Sequence, residues 1–301
     1  MSLVINHNMM AANTARNLNS HYAQLSKSVQ RLSTGLRVNS AADDAAGLAI
    51  RELQRADIAT LQQGARNAND AISMIQTADG ALGVIDEKLT RMKELAEQAA
   101  TGTYDSTQRL MIESEYQAMA SEITRIANAT DFNGIHLLNG SLSSDTHDGS
   151  GMTATGKMKI HFGTGNDSAE DYYYIKIGTS TASALGVGNQ AIDESGNLRD
   201  GGTVSTQQAA QRSLDAITNA IISKDKIRAH LGAMQNRLEN TITNLNTQAE
   251  NLQAAESRIS DVDVATEMTQ FVRNQILSQA AVAMLSQANS LPQMAMQLIG
   301  G

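Results

Sequence analysis

The sequence predicts a mainly α protein, a long antiparallel helical bundle and coiled coil formed by the N- and C-terminal regions, with small β-hairpins in the middle. Three observations predict it. Of the 301 residues, 41% are hydrophobic but only 3% are aromatic and none is Trp, so Ala, Leu, Ile and Met do the packing. Those residues are good helix formers that suit narrow helix-on-helix seams. Apolar residues recur at alternating three- and four-residue steps near both ends. Residues 140–203 break that pattern with a Gly-, Ser-, Thr- and Asp-rich stretch.

The first stripe is Leu18, Tyr22, Leu25, Val29, Leu32 and Leu36, with Ala11 and Ala15 extending it backwards. Gly35 and Asn39-Ser40 predict a helix end or joint. A second stripe runs through Leu61, Ala65, Ala68, Ile72, Ile75 and Ala78, then Leu82, Ile85, Leu89, Met92, Ala96 and Ala99. That is roughly 55–60 Å of helix at 1.5 Å per residue, ended by Thr101-Gly102-Thr103. A third helix has Ile112, Tyr116, Met119, Ile123 and Ile126, closed by a loop with the turn signal Asn133-Gly134. Within the polar middle, Lys157 to Phe162 and Tyr172 to Ile177 read as strands joined through Gly163 to Asp167, longer than a two-residue hairpin turn. Helix returns near Thr206, with Leu238, Ile242, Leu245, Ala249 and Leu252 in heptad register. A break is expected at Asp261-Val262-Asp263, with Asp261 the candidate N-cap. The last helix has Met268, Val272, Ile276, Leu277, Ala281, Met284, Leu285, Ala288 and Leu291.

Both ends lack charge. Arg273 is the last charged side chain, and residues 2–15 hold no charge beyond what His7 can acquire. Exposed helices ordinarily present Lys and Glu to water. Here the polar positions are Gln275, Gln279, Gln287 and Asn289 at one end and Asn6, Asn8 and Asn13 at the other. Amides can be enclosed without burying an ion. One chain offers too little surface to enclose both terminal helices, so copies of the chain are expected to supply the rest. A buried helix in a compact monomer and a membrane-surface helix are the alternatives; the missing Lys and Arg argue against the latter.

Composition also limits the chemistry. There is no Cys, which excludes disulfides, thiolate metal sites and thiol nucleophiles. The net charge of −8 argues against a nucleic-acid partner. No run of 18 apolar residues exists and no secretory signal is visible, so neither a membrane span nor a standard leader is expected. The six His residues (7, 21, 136, 147, 161, 230) lack ligand spacing, and no H-E-x-x-H occurs. Ser223 to Lys226 fits S-x-x-K without its companion motifs and reads as an exposed helix face. Gly186 to Ala191 fits G-x-G-x-x-A outside any βαβ context, and Asp193, Ser195 and Asn197 form a poor match to a Ca²⁺ loop. Asp43 and Asp44 are adjacent and so do not face each other; capping or intersubunit contact is expected of them rather than catalysis. No catalytic residue, cofactor or metal site is assigned, and the chain is read as a non-enzyme.

Gln30 to Arg37 (QRLSTGLR) and Asn39 to Ile50 (NSAADDAAGLAI) resemble the N-terminal signature of bacterial flagellins. So do Arg66 to Ser73 (RNANDAIS), Gln76 to Leu82 (QTADGAL), and Phe132-Asn133-Gly134 with Leu137 to Gly140. Arg258 to Asp263 (RISDVD) and the segment from Gln275-Ile276-Leu277 to Ala288-Asn289 resemble the matching C-terminal signature. The resemblance implies a short-form filament subunit lacking large outer domains. In it, 1–44 and 259–301 are the halves of an inner coiled-coil domain, 45–140 and 205–258 form a helical bundle, and 141–204 is a variable hairpin and loop region. It implies polymerisation through Leu18, Tyr22, Leu25, Val29, Leu32 and Leu36 with Met268, Val272, Leu277, Met284, Leu285 and Leu291. It further implies unfolded export through the flagellar type III system to an extracellular flagellum. The implied partners are copies of itself, hook-junction proteins, the filament cap and an export chaperone. A host Toll-like receptor is also implied, contacted through Arg91, Leu95 and Glu115. A hook–filament junction protein, or a monomeric secreted helical adhesin or receptor ligand, are the alternative readings.

Overall fold

The computed structural model describes residues 7–151, 154–168, 170–189 and 200–299, the last five by backbone alone. The chain divides into two compact units, one of residues 1–58 with 250–301 and the other of residues 59–249.

Among the described residues five long helices and one short one set the architecture: α1 (Met9–Thr34), α2 (Ala45–Ala100), α3 (Ser106–Ala129), α4 (Ala182–Leu185), α5 (Gln207–Ser260) and α6 (Val264–Ile299). The expected breaks have local causes. Gly35 ends α1 in the left-handed conformation at φ 72°, its N–H donating to Arg31 O, so Leu36 lies beyond the helix rather than at the end of its stripe. Asp44 Oδ1 accepts the Gly47 N–H at 2.9 Å at the start of α2, a capping contact. Asp105 and Gln108 form a capping box at the start of α3. The cap of α6 is Asp263 rather than Asp261: its Oδ1 accepts from Ala265 and Thr266 N–H, as a cap must from the residues two and three ahead. Asp261 instead pairs in a short antiparallel bridge with Leu36.

In the larger unit, α2, α3 and α5 share one core. Leu82, Ile85, Leu89 and Met92 of α2 meet Tyr116 and Ile123 of α3 and Ile217, Leu231 and Leu238 of α5. α5 runs antiparallel to α2, Asp79 facing Arg228 and Asp86 facing Lys224, and Arg91 of α2 faces Glu115 of α3. Lys224 is 1% exposed, and its ammonium is held 2.6 Å from Asp86 and 2.7 Å from Asp225. Ser223 and Lys226, the S-x-x-K pair, are exposed as expected.

Among the described residues three two-stranded antiparallel pairs decorate this core. They are β1 (Asp131–Phe132) with β2 (Ile135–His136), β3 (His147–Asp148) with β4 (Thr155–Gly156), and β5 (Met158–His161) with β6 (Tyr172–Ile175). Asn133 and Gly134 both take positive φ, the conformation a two-residue hairpin turn requires. The β5–β6 pair lies close on α2 and α5. Asn67 Nδ2 donates to His161 O at 2.9 Å, and Arg237 stacks over the Tyr173 ring at 3.6 Å. Polar side chains of α3 fasten the segments around α4. Tyr116 donates its hydroxyl to Gly201 O at 2.7 Å, Gln117 donates to Gly202 O, and Glu113 accepts the Val204 N–H. The weak Ca²⁺-loop match at Asp193, Ser195 and Asn197, and the end of the glycine motif at Gln190 and Ala191, lie outside the described residues. Gly186 is the left-handed C-cap of α4.

Candidate assembly surface

In the smaller unit α1 and α6 run antiparallel as a hairpin. Arg31 meets Glu267 near one end (3.5 Å), and Asn8 Nδ2 donates to Ala288 O at 2.7 Å near the other. The Asn8 contact has a covalent cause. Pro292 sits inside α6 and has no N–H to give the carbonyl four residues back. That carbonyl is Ala288 O, and Asn8 supplies the missing donor. The same Asn8 caps α1 by accepting the Ala11 N–H at 3.0 Å. At the joint, Lys27 lies 2.6 Å from Asp43. Its ammonium pulls the Asp43 carboxyl down from 3.8 to about 2, against desolvation and helped by the Asn39 and Ser40 donors.

The hairpin is sealed by a different stripe from the apolar one. On α1 buried Ser28 and half-buried Ala11, Thr14, Leu18, His21, Leu25 and Leu32 form one row, with Ala15 and Arg31 half-buried beside it; on α6 the row is Glu267, Phe271, Asn274, Ser278, Ala281, Leu285 and Ala288. Both sets alternate three and four residues, as a coiled-coil seam does. Leu18, Leu25 and Leu32 therefore fall in it, as do Leu285 and the half-buried Leu291. Tyr22 and Val29 do not: they lie one position on from His21 and Ser28 and are exposed, Tyr22 by 51%. Met268, Val272, Leu277 and Met284 are likewise turned out, Met284 by 58%. The seam and its edge hold polar atoms with no hydrogen-bond partner among the described residues: His21 Nδ1, Arg31 Nε and Ser278 Oγ.

The result is a hairpin whose seam mixes apolar and polar groups while many large apolar side chains stay outside it. Among the described residues, fourteen of the nineteen exposed large apolar side chains belong to this smaller unit. A helix apolar on every face is ordinarily enclosed on every face. Beside the seam, Tyr22, Leu25, Gln275, Ser278, Gln279 and Val282 line an open groove of about 380 Å³. No helix among the described residues is long and apolar enough to cross a membrane.

The second expected site lies on the larger unit. Arg91 Nε and Nη2 donate to Glu115 Oε1 at 3.0 and 2.8 Å, and Nη1 donates to Glu94 at 2.9 Å. The expected pair is thus assembled on the surface of α2 and α3. Leu95 is a correction: at 1% exposed it belongs to the core and offers no surface for direct contact. It stands beside the α2 stripe, three residues after Met92 and one before Ala96, and packs into the same core. Among the described residues no group of three or more His, Cys, Asp or Glu side chains is arranged to hold a metal ion.

The comparisons with known proteins bear on the whole chain. A family model for the bacterial flagellin N-terminal helical region matches residues 5–143, and one for the C-terminal helical region matches residues 214–299. The chain is 41% identical over 297 residues to the flagellar filament 33 kDa core protein of Treponema phagedenis, covering 99% of this chain and 100% of that one. It is 42% identical over 307 residues to the flagellin of Bacillus subtilis, covering 98% and 99%. A solved structure assigned as a flagellar hook-associated protein of Vibrio parahaemolyticus shares the fold, with TM-score 0.55 at 15% identity, covering 73% of this chain and 100% of that one.

Proposed function

Because the chain belongs to the bacterial flagellin family, we propose that it is a structural subunit that polymerises with copies of itself into the bacterial flagellar filament. The observation that carries this reading is the terminal hairpin with its large apolar side chains left outside the seam. Its exposed apolar faces, free of charge from Asn274 onward, gain by burial against neighbours, and the single chain does not bury them. The relatives matched end to end are a filament core protein and a flagellin, which favours the filament subunit over a junction protein.

In this reading residues 1–44 and 259–301 form the inner, assembling layer. Residues 45–140 and 205–258 form the supporting bundle, and 141–204 its variable decoration. Polymerisation uses the outward Tyr22, Val29, Met268, Val272, Leu277 and Met284, with Leu18, Leu25, Leu32, Leu285 and Leu291 holding the hairpin and Leu36 its joint. The subunit is exported unfolded by the flagellar type III system with the help of a chaperone. It is then placed between the hook-junction proteins and the cap, outside the cell. Its role is mechanical, with no reaction assigned. A second role, recognition by a host Toll-like receptor, is supported by the exposed Arg91–Glu115 pair, with Leu95 acting only through the packing beneath it.

Negative-stain electron microscopy of the purified chain, after adding short seeds or ammonium sulfate, tests the reading. Long tubular filaments are expected. A monodisperse monomer with protease-resistant termini would mean that the ends pack internally, and would favour the adhesin alternative.

A further inference from the structure

The groove beside Ser278 and the apolar residues on the far side of the same helix are matched in length and chemistry. Along α6 the groove runs from Gln275 to Val282, seven residues or two turns, ~10 Å. Its walls include Tyr22 and Val282, amides of Gln275 and Gln279 edge it, and Ser278, 5% exposed, holds an unpartnered Oγ. An uncharged occupant suits the groove, because none of its six lining residues carries a charge to compensate a buried ion.

Leu277 and Met284 are exposed and also seven residues apart. Each stands two residues from a groove residue, Leu277 from Gln275 and Gln279 and Met284 from Val282. Two residues turn a helix by ~200°, so these side chains lie opposite the groove and cannot reach it within one molecule. The groove volume of about 380 Å³ exceeds the share of about ten liquid waters at ~30 Å³ each, enough for two aliphatic side chains. Met adapts well to irregular clefts of this kind.

We propose that this groove receives Leu277 and Met284 of α6 from a second copy of the chain, in a contact that repeats from copy to copy. The contact joins two different patches, and such heterologous contacts build rings or open helices rather than closed dimers. The proposal rests on the filament reading and specifies which surfaces of the subunit meet.

The absence of Cys makes the test direct. A Val282→Cys/Met284→Cys variant is assembled with an equal amount of wild-type chain, filaments are verified by microscopy, and a short bismaleimide is added before denaturing electrophoresis. Incorporated double variant is expected to leave the monomer band as dimers, trimers and higher multimers. Each single variant is expected to stay monomeric, and a mixture of the two singles to give dimers only. Gln275→Cys/Leu277→Cys probes the other end of the groove and takes the place of the first pair if that pair is shut out of filaments. Dimers from either single variant would mean a two-fold contact and overturn the proposal. So would filaments that incorporate the double variants without cross-links. Failure of the wild-type chain to assemble at all is a separate result, and sinks the filament reading instead.

Discussion

Met284→Glu separates the monomer from the assembly. In the monomer Met284 is 58% exposed on a helix, so a glutamate there meets water and changes stability by no more than about 0.5 kcal/mol. In a filament that encloses this face, the carboxylate has no partner on its own helix. The nearest charge along α6, Arg273, is eleven residues away, ~16 Å along the axis and beyond a Debye length of about 8–10 Å. An uncompensated buried charge costs about 3–5 kcal/mol. At 1.4 kcal/mol per decade, the concentration needed for growth rises by roughly two to three and a half orders of magnitude.

The assay is seeded growth followed by light scattering and microscopy, beside circular dichroism of the free chain. Unchanged helix signal with no growth at concentrations that suffice for the wild type is the expected result. Met284→Gln, polar but uncharged, should retain growth at a smaller penalty. Filaments of Met284→Glu growing at the wild-type concentration would show that this face stays wet in the assembly, and the reasoning would be wrong.

Other consequences concern the hairpin, its joint and the bundle. Asn8→Ala leaves Ala288 O without the donor that Pro292 cannot give; faster amide exchange around Ala288 is expected, worth about 1–3 kcal/mol, and Pro292→Ala in the same chain should recover part of it. Asp43 should titrate at about 2 by carbon-13 NMR, because Lys27 stabilises its ionised form. Its depressed value means that the joint gains stability fully above 3.8 and loses it as pH falls through about 2; an ordinary midpoint near 3.8 would refute the contact. Gly64→Ala would drive a Cβ into the Phe162 carbonyl oxygen; displacing the chain just after β5 costs about 1–3 kcal/mol, so a fall in Tm of at least ~2 °C is expected, and an unchanged Tm would mean that the hairpin is not seated on α2.

Much of the fold was legible because long helices announce themselves by period. The α2 stripe from Leu61 to Ala99 lines the core, and the two strand runs pair as β5 and β6. The intramolecular seam of the terminal hairpin was not legible. An apolar pattern finds Tyr22 and Val29, whereas the chain closes on His21 and Ser28. Nothing in hydrophobic periodicity can identify a seam made partly of Asn274, Ser278 and Glu267. The Asp261 and Asp263 caps differ by two residues, within the usual blur of helix ends. The bonds from Tyr116 and Gln117 to Gly201 and Gly202 join residues 85 apart, and no local signal marks them. Lys224 reads as a surface charge until Asp86 is brought beside it.

The misplaced stripe also explains how one sequence serves two states. Had α1 and α6 met through Tyr22, Val29, Met268 and Val272, the hairpin would satisfy its own apolar surface and have little reason to associate. With His21, Ser28, Asn274 and Ser278 inside, the lone hairpin gains less from closing, and unpartnered polar atoms weaken it further. The larger apolar gain is left on the outside, where only neighbours can realise it. Order in this unit then depends on how many copies surround it, since anything that binds only the folded form stabilises it by mass action. The large core of residues 59–249 stands on its own packing and needs no such help.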